Sequence, residues 1–325
     1  MFESIILSLI GGLTLFLYAL HYLSESLKSV AGGKLQFYLN KFTGNLFTGI
    51  ASGTIITILL DSSSAVIIMT IALVKSRALT FRQAMGIVMG ANIGTTISSQ
   101  IIALDVGKYS SVLMAIGFLL LMLAKKRLPK NIGRVLLGFG LIFFGLYVIE
   151  DSVAPLRQSP EFAGWMLALE KPLKGVGIGA LVTLIIQSSS ATVGMVIALG
   201  AKKLITITAG IAVMLGAELG TCSDTLLASI GRSRQAVKTG IFHLFFNITT
   251  IILALILFTP FGQLVHYLSG EAPLERQIAN AHVLFNCLGV FIYIPFVPLT
   301  ERLINFVIPE QHPTTSPAHL ANPEK

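Results

Sequence analysis

Five stretches of this chain, residues 4–24, 83–104, 175–201, 239–270 and 277–300, contain no Asp, Glu, Lys or Arg. A helix crossing the hydrocarbon core of a bilayer needs about 20 mainly apolar residues, and each stretch supplies them. Only 12% of the 325 residues are charged, against about 25% in a soluble domain. A soluble enzyme and a disordered binding protein are therefore disfavoured. Strands of a membrane barrel alternate in polarity over about 10 residues, and these runs do not alternate. The fold class expected is an all-α polytopic membrane protein, with the lipid bilayer as its surroundings. Met1-Phe2-Glu3 holds no Lys or Arg, and the first apolar run is too long for a signal-peptide core, so it is read as a retained helix. Cys222 and Cys287 both lie in apolar segments, so no disulfide framework is expected. The net charge of +8 is read as loop Lys and Arg of a membrane protein, and no nucleic-acid partner is expected.

The chain repeats itself at an offset of 126. Residues 51–74 and 177–200 share ten of 24 aligned positions, including Gly53/Gly179, Thr57/Thr183 and a whole Ser-Ser-Ser-Ala block. The same offset lays Gly90-Ala-Asn-Ile-Gly-Thr-Thr96 on Gly216-Ala-Glu-Leu-Gly-Thr-Cys222, and Gly12, Leu15, Leu20 and Ser26 on Gly138, Leu141, Leu146 and Ser152. Shared hydrophobicity aligns scattered Leu and Ile. It does not align two polar blocks in one register, so the chain is read as a duplication.

Charge counting bears on topology. If 42–74 and 175–201 cross the membrane, alternating loops place 12 Lys/Arg on one side and 11 on the other. If each is a re-entrant hairpin, the split is 16 to 7. The excess of Lys and Arg marks the cytoplasmic side, which favours the hairpins. Each repeat then has three crossings: near 6–27, 83–104 and 109–124, and near 135–150, 207–230 and 239–259. An odd number inverts the second copy. The expected organisation is repeat 1 over 1–126 with a hairpin at about 42–74, and repeat 2 over 127–259 with a hairpin at about 168–201. A seventh helix lies near 278–305 within 260–309, and a disordered cytoplasmic tail over 310–325. The architecture expected is two inverted-topology repeats, each with a re-entrant hairpin and a broken transmembrane helix, plus a C-terminal helix. The N-terminus is placed outside and the C-terminus in the cytoplasm, with Lys75, Arg77 and Lys125 cytoplasmic and Arg157, Lys202 and Lys203 external. Trp165, Glu161 and Glu170 fall in an external connection.

Asp61-Ser62-Ser63-Ser64 and Gln187-Ser188-Ser189-Ser190 sit at the turns of the two apolar hairpins. Broken backbone at membrane depth is tolerated where it lines a cavity or is buried in protein. The helix that restarts at each serine block presents free N–H groups and a positive dipole end, a ready anion site, and the hydroxyls add donors. No Lys or Arg lies in 42–74, 83–104 or 175–201, so an anion there is held by N–H groups, hydroxyls and co-bound cations. The GANIGTT and GAELGTC segments admit two readings: unwound carbonyls that coordinate a cation such as Na⁺, or a tight helix crossing through small residues. Asp61 and Glu218 are acids at these polar breaks, where carboxylates are costly and mark function. Asp224, two residues beyond the second block, shares that reading. The Na⁺ ligands expected are Asp61, Glu218, Thr57, Thr183, Ser64 and Ser190. A third pattern, His243-x-x-Phe-Asn247 and His282-x-x-Phe-Asn286, sets His and Asn four apart on one helix face. It is read as hydrogen bonding that fixes helix packing.

With these residues in view, the sequence resembles the type II sodium-dependent phosphate cotransporter family, whose marks are two Gln-Ser-Ser-Ser blocks in inverted repeats, each followed by a Gly-Ala-Asn-Ile-Gly-Thr-like segment. The resemblance covers roughly 12–300. It implies a transporter rather than an enzyme, without a cofactor, that couples inward phosphate movement to the Na⁺ gradient, and it implies a homodimer. Carried over by motif, the phosphate-contacting residues are Ser62, Ser63, Ser64, Gln187, Ser188, Ser189 and Ser190, with Asn92, Thr95, Thr96 and Thr221 nearby. The chain departs from the pattern at Asp61 (Gln in the family), Glu218 (Asn) and Cys222 (a hydroxyl residue). The residues alone specify an anion-coupled secondary transporter, and phosphate comes from the resemblance. The alternatives are transport of another anion, or phosphate export, with Asp61 or Glu218 coupling to H⁺. An intramembrane serine enzyme is disfavoured, because neither Ser62 nor Ser188 has a nucleophile elbow or a base in its own hairpin.

Overall fold

The structure is a computed structural model, described over residues 2–31, 34–104, 107–231 and 233–309. The expected tail over 310–325 lies outside the described residues, as does Arg232, one of the residues in the charge count. In chain order the helices are α1 (Phe2–Ala31), α2 (Leu35–Phe42), α3 (Leu46–Leu60), α4 (Ser63–Lys75), α5 (Phe81–Ile102), α6 (Ser110–Leu123), α7 (Arg127–Val153), α8 (Pro160–Leu169), α9 (Pro172–Ile186), α10 (Ser189–Ala201), α11 (Ile207–Gly220), α12 (Cys222–Ser229), α13 (Arg234–Ile256), α14 (Phe258–Ser269), α15 (Leu274–Tyr293) and α16 (Val297–Val307). Among the described residues there is no strand, and five helical segments are long and apolar enough to cross a membrane. Leu7, Ile10, Leu123, Ile185, Phe291 and Phe306 stay exposed, as expected where the surroundings are lipid tails. The chain is an α-helical polytopic membrane protein.

The duplication reappears in the element bounds. Adding 126 to α3 gives α9, and adding it to α4 gives α10, residue for residue. Both hairpin arms are short, 15 and 13 residues in each copy. At 1.5 Å per residue the longer arm spans about 22 Å, less than the roughly 30 Å hydrocarbon core. The first hairpin is fixed at its start by Asn45, whose side chain accepts from the Thr48 N–H. It is also held by Gln83 Nε2, which donates to Thr43 O at 2.6 Å. The second starts with Pro172 in its first turn, a position where a missing N–H costs nothing.

Glycine brings each hairpin against the helix that follows it. A Cβ on Gly53 would overlap the Ile87 carbonyl, and one on Gly179 would overlap the Val213 carbonyl, the same contact shifted by 126. Gly90 meets the Ile50 backbone and Gly216 the Val176 backbone in the same way. Close approach of this kind is how small residues drive helix association in a bilayer.

Two sequence expectations change here. The GANIGTT segment is not unwound: α5 runs unbroken from Phe81 to Ile102, so the first repeat has no broken crossing helix. The small residues serve the α3–α5 approach instead, and the helix carbonyls stay in the helix ladder. The second copy does break, at Thr221 between α11 and α12. The span expected near 278–305 is present as one apolar helical segment, Leu274–Val307, in which α15 and α16 meet at a 3₁₀ turn, with α14 ahead of it. The helices expected as third crossings also diverge: α13 is long and apolar enough to span, whereas α6, at 14 residues, is not. α6 packs against α7, whereas its counterpart by sequence, α13, packs against α4, α5 and α12.

Candidate functional site

Both hairpins break in the same way. α3 ends on Asp61 in the left-handed conformation (φ 51°), and α9 ends on Gln187 likewise (φ 58°). Such backbone is uncommon for residues other than glycine, and Asp tolerates it better than Gln. Conformations of this kind cluster at functional sites. The next residue caps the second arm: Ser62 Oγ accepts from the Ala65 N–H and Ser188 Oγ from the Ala191 N–H, each at 3.2 Å. Helix geometry leaves the first N–H groups of α4 and α10 without intrahelical partners. The tip thus juxtaposes a helix C-terminus, a left-handed residue and a helix N-terminus carrying three serines.

The two tips share one cavity of about 60 Å³, lined by Asp61, Ser62, Ser63, Ser64, Gln187, Ser188, Ser189, Ser190 and Thr221. Residues 126 apart in sequence therefore face one another. Ser63, Ser189, Ser190 and Thr221 are buried there. Asp61 also borders a second, largely apolar cavity of about 120 Å³ whose walls include Leu20, Ile58, Ser98 and Phe143. Its Oδ1 accepts from Ser98 Oγ. Ser64 Oγ donates to Asp224 Oδ2 at 3.0 Å, which links the first hairpin to α12 of the other repeat.

Of the other residues singled out in the sequence, Asn92, Thr95 and Thr96 do not line this cavity. Asn92 Nδ2 donates to Asn247 Oδ1 at 2.6 Å, Thr95 Oγ1 to Ala91 O at 3.0 Å and Thr96 Oγ1 to Ile93 O at 2.8 Å. Glu218 does not line it either: it is 2% exposed and its Oε1 lies 2.8 Å from His282 Nε2. Thr183 Oγ1 donates to Thr192 Oγ1 at 2.7 Å. Thr57 Oγ1 is buried and, among the described residues, has no hydrogen-bond partner.

The two His-x-x-Phe-Asn helices make interhelical hydrogen bonds, as the sequence reading expected. His243 Nδ1 lies 2.8 Å from Thr225 Oγ1, and His282 Nδ1 lies 2.7 Å from Ser99 Oγ. Ser99 and Thr225 are 126 apart. The same holds for Asn92 and Glu218, held by Asn247 on α13 and His282 on α15. Two helices that are 39 apart in sequence by their histidines thus clamp equivalent positions of the two repeats. The signal that α15 mirrors α13 was the duplicated motif itself.

Short broken helices that meet at a polar, serine-lined cavity inside an apolar bundle define a class, the helical membrane transporters whose substrate site lies between discontinuous helices. Comparison with known proteins narrows it. The family model described as Na+/Pi-cotransporter matches residues 15–151 and 162–291, and the chain belongs to that family, one of phosphate transport. An uncharacterized protein, YqeW, of Bacillus subtilis is 28% identical over 306 residues, covering 94% of this chain and 99% of the relative. A Salmonella typhimurium protein provisionally named inorganic phosphate export protein YjbB is 25% identical over 319 residues. The match covers 97% of this chain and 58% of YjbB, so the chain spans little more than half the length of that relative. Human sodium-dependent phosphate transport protein 2B is 40% identical over 99 residues, 30% of this chain and 14% of the relative. No solved structure matches the chain.

Proposed function

We propose that the chain is a secondary active transporter that carries inorganic phosphate into the cell together with Na⁺. The observation that carries this reading is the single cavity shared by the two broken hairpin tips. The N-termini of α4 and α10 both open on it, and N–H groups at helix starts favour an anion. The serine hydroxyls of both blocks supply further donors. The C-terminal end of a half-helix suits a cation, and α3 ends there on the Asp61 carboxylate. A cation beside Asp61 offsets the repulsion between that carboxylate and phosphate, which would otherwise be strong in a low-dielectric pocket. The cation is assigned to Asp61 and Thr57 with hydroxyls of the first hairpin, and Glu218 is left out because its carboxylate is taken by His282. Asn92, Thr95 and Thr96 are left out of the substrate site, because Asn92 is bonded to Asn247 and the two threonines to carbonyls of α5.

The test is radiolabelled phosphate flux in proteoliposomes with Na⁺ and pH gradients imposed separately. A flux driven by an inward Na⁺ gradient is the expected result. A flux that follows pH and ignores Na⁺ replaces Na⁺ by H⁺. Net movement against the Na⁺ gradient only outward favours export, the activity in the name of YjbB.

Alternating access in this reading needs the two repeats to lie in opposite senses across the membrane. Arg77 and Lys203, 126 apart, both follow their hairpins in left-handed backbone (φ 61° and 55°) and both are exposed. Cysteines at positions 77 and 203 are expected to react with an impermeant thiol reagent from opposite faces of the cell membrane, position 77 from the cytoplasm. Labelling of both from one face removes the inverted arrangement.

A further inference from the structure

One serine of the shared cavity differs from the others in what its hydroxyl has left to offer. Ser62 and Ser188 accept from the Ala65 and Ala191 N–H groups, which leaves each hydroxyl hydrogen for a ligand. Ser63, Ser189 and Ser190 are buried in the cavity wall, and among the described residues none of their hydroxyls is bonded to protein. Ser64 lines the same cavity, but its Oγ donates to Asp224 Oδ2 at 3.0 Å. A carboxylate only accepts, and a serine hydroxyl has one hydrogen and two lone pairs. The hydrogen of Ser64 is therefore committed to α12, and lone pairs are what remains for a ligand.

The second repeat shows that the fold does not require this bond. The offset of 126 pairs Ser64 with Ser190 and Asp224 with Ser98. Position 98 carries a donor, and Ser98 gives its hydrogen to Asp61. Among the described residues no carboxylate accepts from Ser190. The second hairpin nevertheless keeps the left-handed residue and the capping serine. The carboxylate at 224 is thus an addition to the scaffold, and a carboxylate at membrane depth is costly. Asp224 does not itself line the cavity, so it acts on a ligand through Ser64. Asp61, the other acceptor at the cavity, is charged and is assigned above to the cation.

An oxyanion in this cavity is met by N–H groups and hydroxyl hydrogens, and at Ser64 by lone pairs. Inorganic phosphate keeps at least one hydrogen at neutral pH and donates it to such an acceptor. Sulfate has the same tetrahedral shape but carries no hydrogen, so it sets its own lone pairs against those of Ser64. We propose that Asp224 is a positioning residue that makes Ser64 a hydrogen-bond acceptor, and that this acceptor selects hydrogen-bearing tetrahedral oxyanions over sulfate. The proposal rests on the phosphate-transport reading above and names the atom that separates phosphate from an isostere. A site built around a substrate hydrogen rejects the analogue lacking it more strongly than pocket shape does, because its polar groups are then left unpaired.

The experiment measures phosphate flux in proteoliposomes with sulfate or arsenate as competitor. Thermal shifts of the purified proteins with each anion read binding without transport. In wild type, arsenate, which also carries hydrogen, should compete, and sulfate should bind at least about a hundredfold more weakly than phosphate. Asp224→Asn keeps the shape of the side chain and offers Ser64 a hydrogen. It should lower the ratio of sulfate to phosphate dissociation constants about tenfold or more. Removing that charge by itself favours a more highly charged anion, so Asp224→Asn is repeated with Ser64→Ala already in place. There the charge effect persists and the hydrogen-bond effect does not, and the ratio should move by less than about threefold. Ser190→Ala, at the equivalent serine without a carboxylate, should weaken both anions in proportion. Sulfate binding within about tenfold of phosphate in wild type, an unmoved ratio in Asp224→Asn, or an equal change with Ser64→Ala in place would overturn the acceptor assignment while leaving phosphate transport intact. A ratio that moves only in Asp61→Asn gives the acceptor to Asp61 and overturns the assignment likewise. A wild type with neither phosphate flux nor a phosphate-induced thermal shift overturns the transport reading itself, and this assignment with it.

Discussion

Replacing Ser63 and Ser189 together by alanine is expected to weaken phosphate binding about a hundredfold or more. The two residues are 126 apart and open α4 and α10. Both are buried and line the shared cavity. Among the described residues neither hydroxyl has a protein partner, so each is available to an anion. A hydrogen bond to a charged group contributes roughly 1.5–3 kcal/mol. Two of them lost from one ligand amount to about 3 kcal/mol at the lower bound, or about two decades in affinity. Ser62 and Ser188 are less informative targets because they cap their helices, and a lost cap costs about 1 kcal/mol by itself. Ser64 is confounded by its bond to Asp224. Ser110, buried at the start of α6 and outside the cavity, is the control and should stay near wild type. Half-saturation by phosphate and the thermal shift induced by phosphate both read the effect. A change of under about threefold in the double variant would detach the serines from the anion.

The hairpins were legible because a period of 126 aligned two polar blocks that no membrane helix needs for its own stability. The Ser-Ser-Ser-Ala match placed the break, and the left-handed Asp61 and Gln187 sit immediately before it. What could not be read was what surrounds each segment. Gly90 to Thr96 carries the same small and polar residues whether it is unwound or pressed against a neighbour, and the neighbour, α3, decides. Asn92 looks like a ligand until Asn247, 155 residues away, takes its amide. Glu218 looked like a cation ligand for the same reason, because its partner lies 64 residues on, in α15. The equivalence of α13 and α15 was hidden by the offset itself: a search at 126 pairs α13 with α6, which lies against α7 instead. Only the repeated His-x-x-Phe-Asn, at a different spacing, carried that information.

Breaking the Glu218–His282 pair from its two ends should give unequal losses, with His282→Ala the more damaging. His282 is fully buried, and Glu218 nearly so. The ring is held on both sides, by Ser99 at 2.7 Å and by Glu218 at 2.8 Å. Removing one member of a buried pair typically costs about 3–5 kcal/mol, because the other is left uncompensated. His282→Ala leaves the Glu218 carboxyl in an apolar bundle without its hydrogen-bond partner, and also empties the volume of a ring between α5, α11 and α15. Glu218→Ala leaves the ring its contact with Ser99, so its loss should be smaller. Glu218→Gln keeps an amide able to bond the ring nitrogen and should cost least, about 1 kcal/mol. Glu218→Asn places at that position the residue found in the first repeat, Asn92, but with a shorter reach to His282. Replacing both members together should cost less than the sum of the single losses, since neither is then left buried without the other. Thermal unfolding of the purified proteins, arranged as a double-mutant cycle, measures this directly. Equal losses for His282→Ala and Glu218→Gln, or strict additivity in the cycle, would show that the pair contributes no more than packing. Phosphate half-saturation in Glu218→Gln is the companion measurement: it should stay close to wild type, because Thr221, one turn beyond Glu218, reaches the cavity and Glu218 does not.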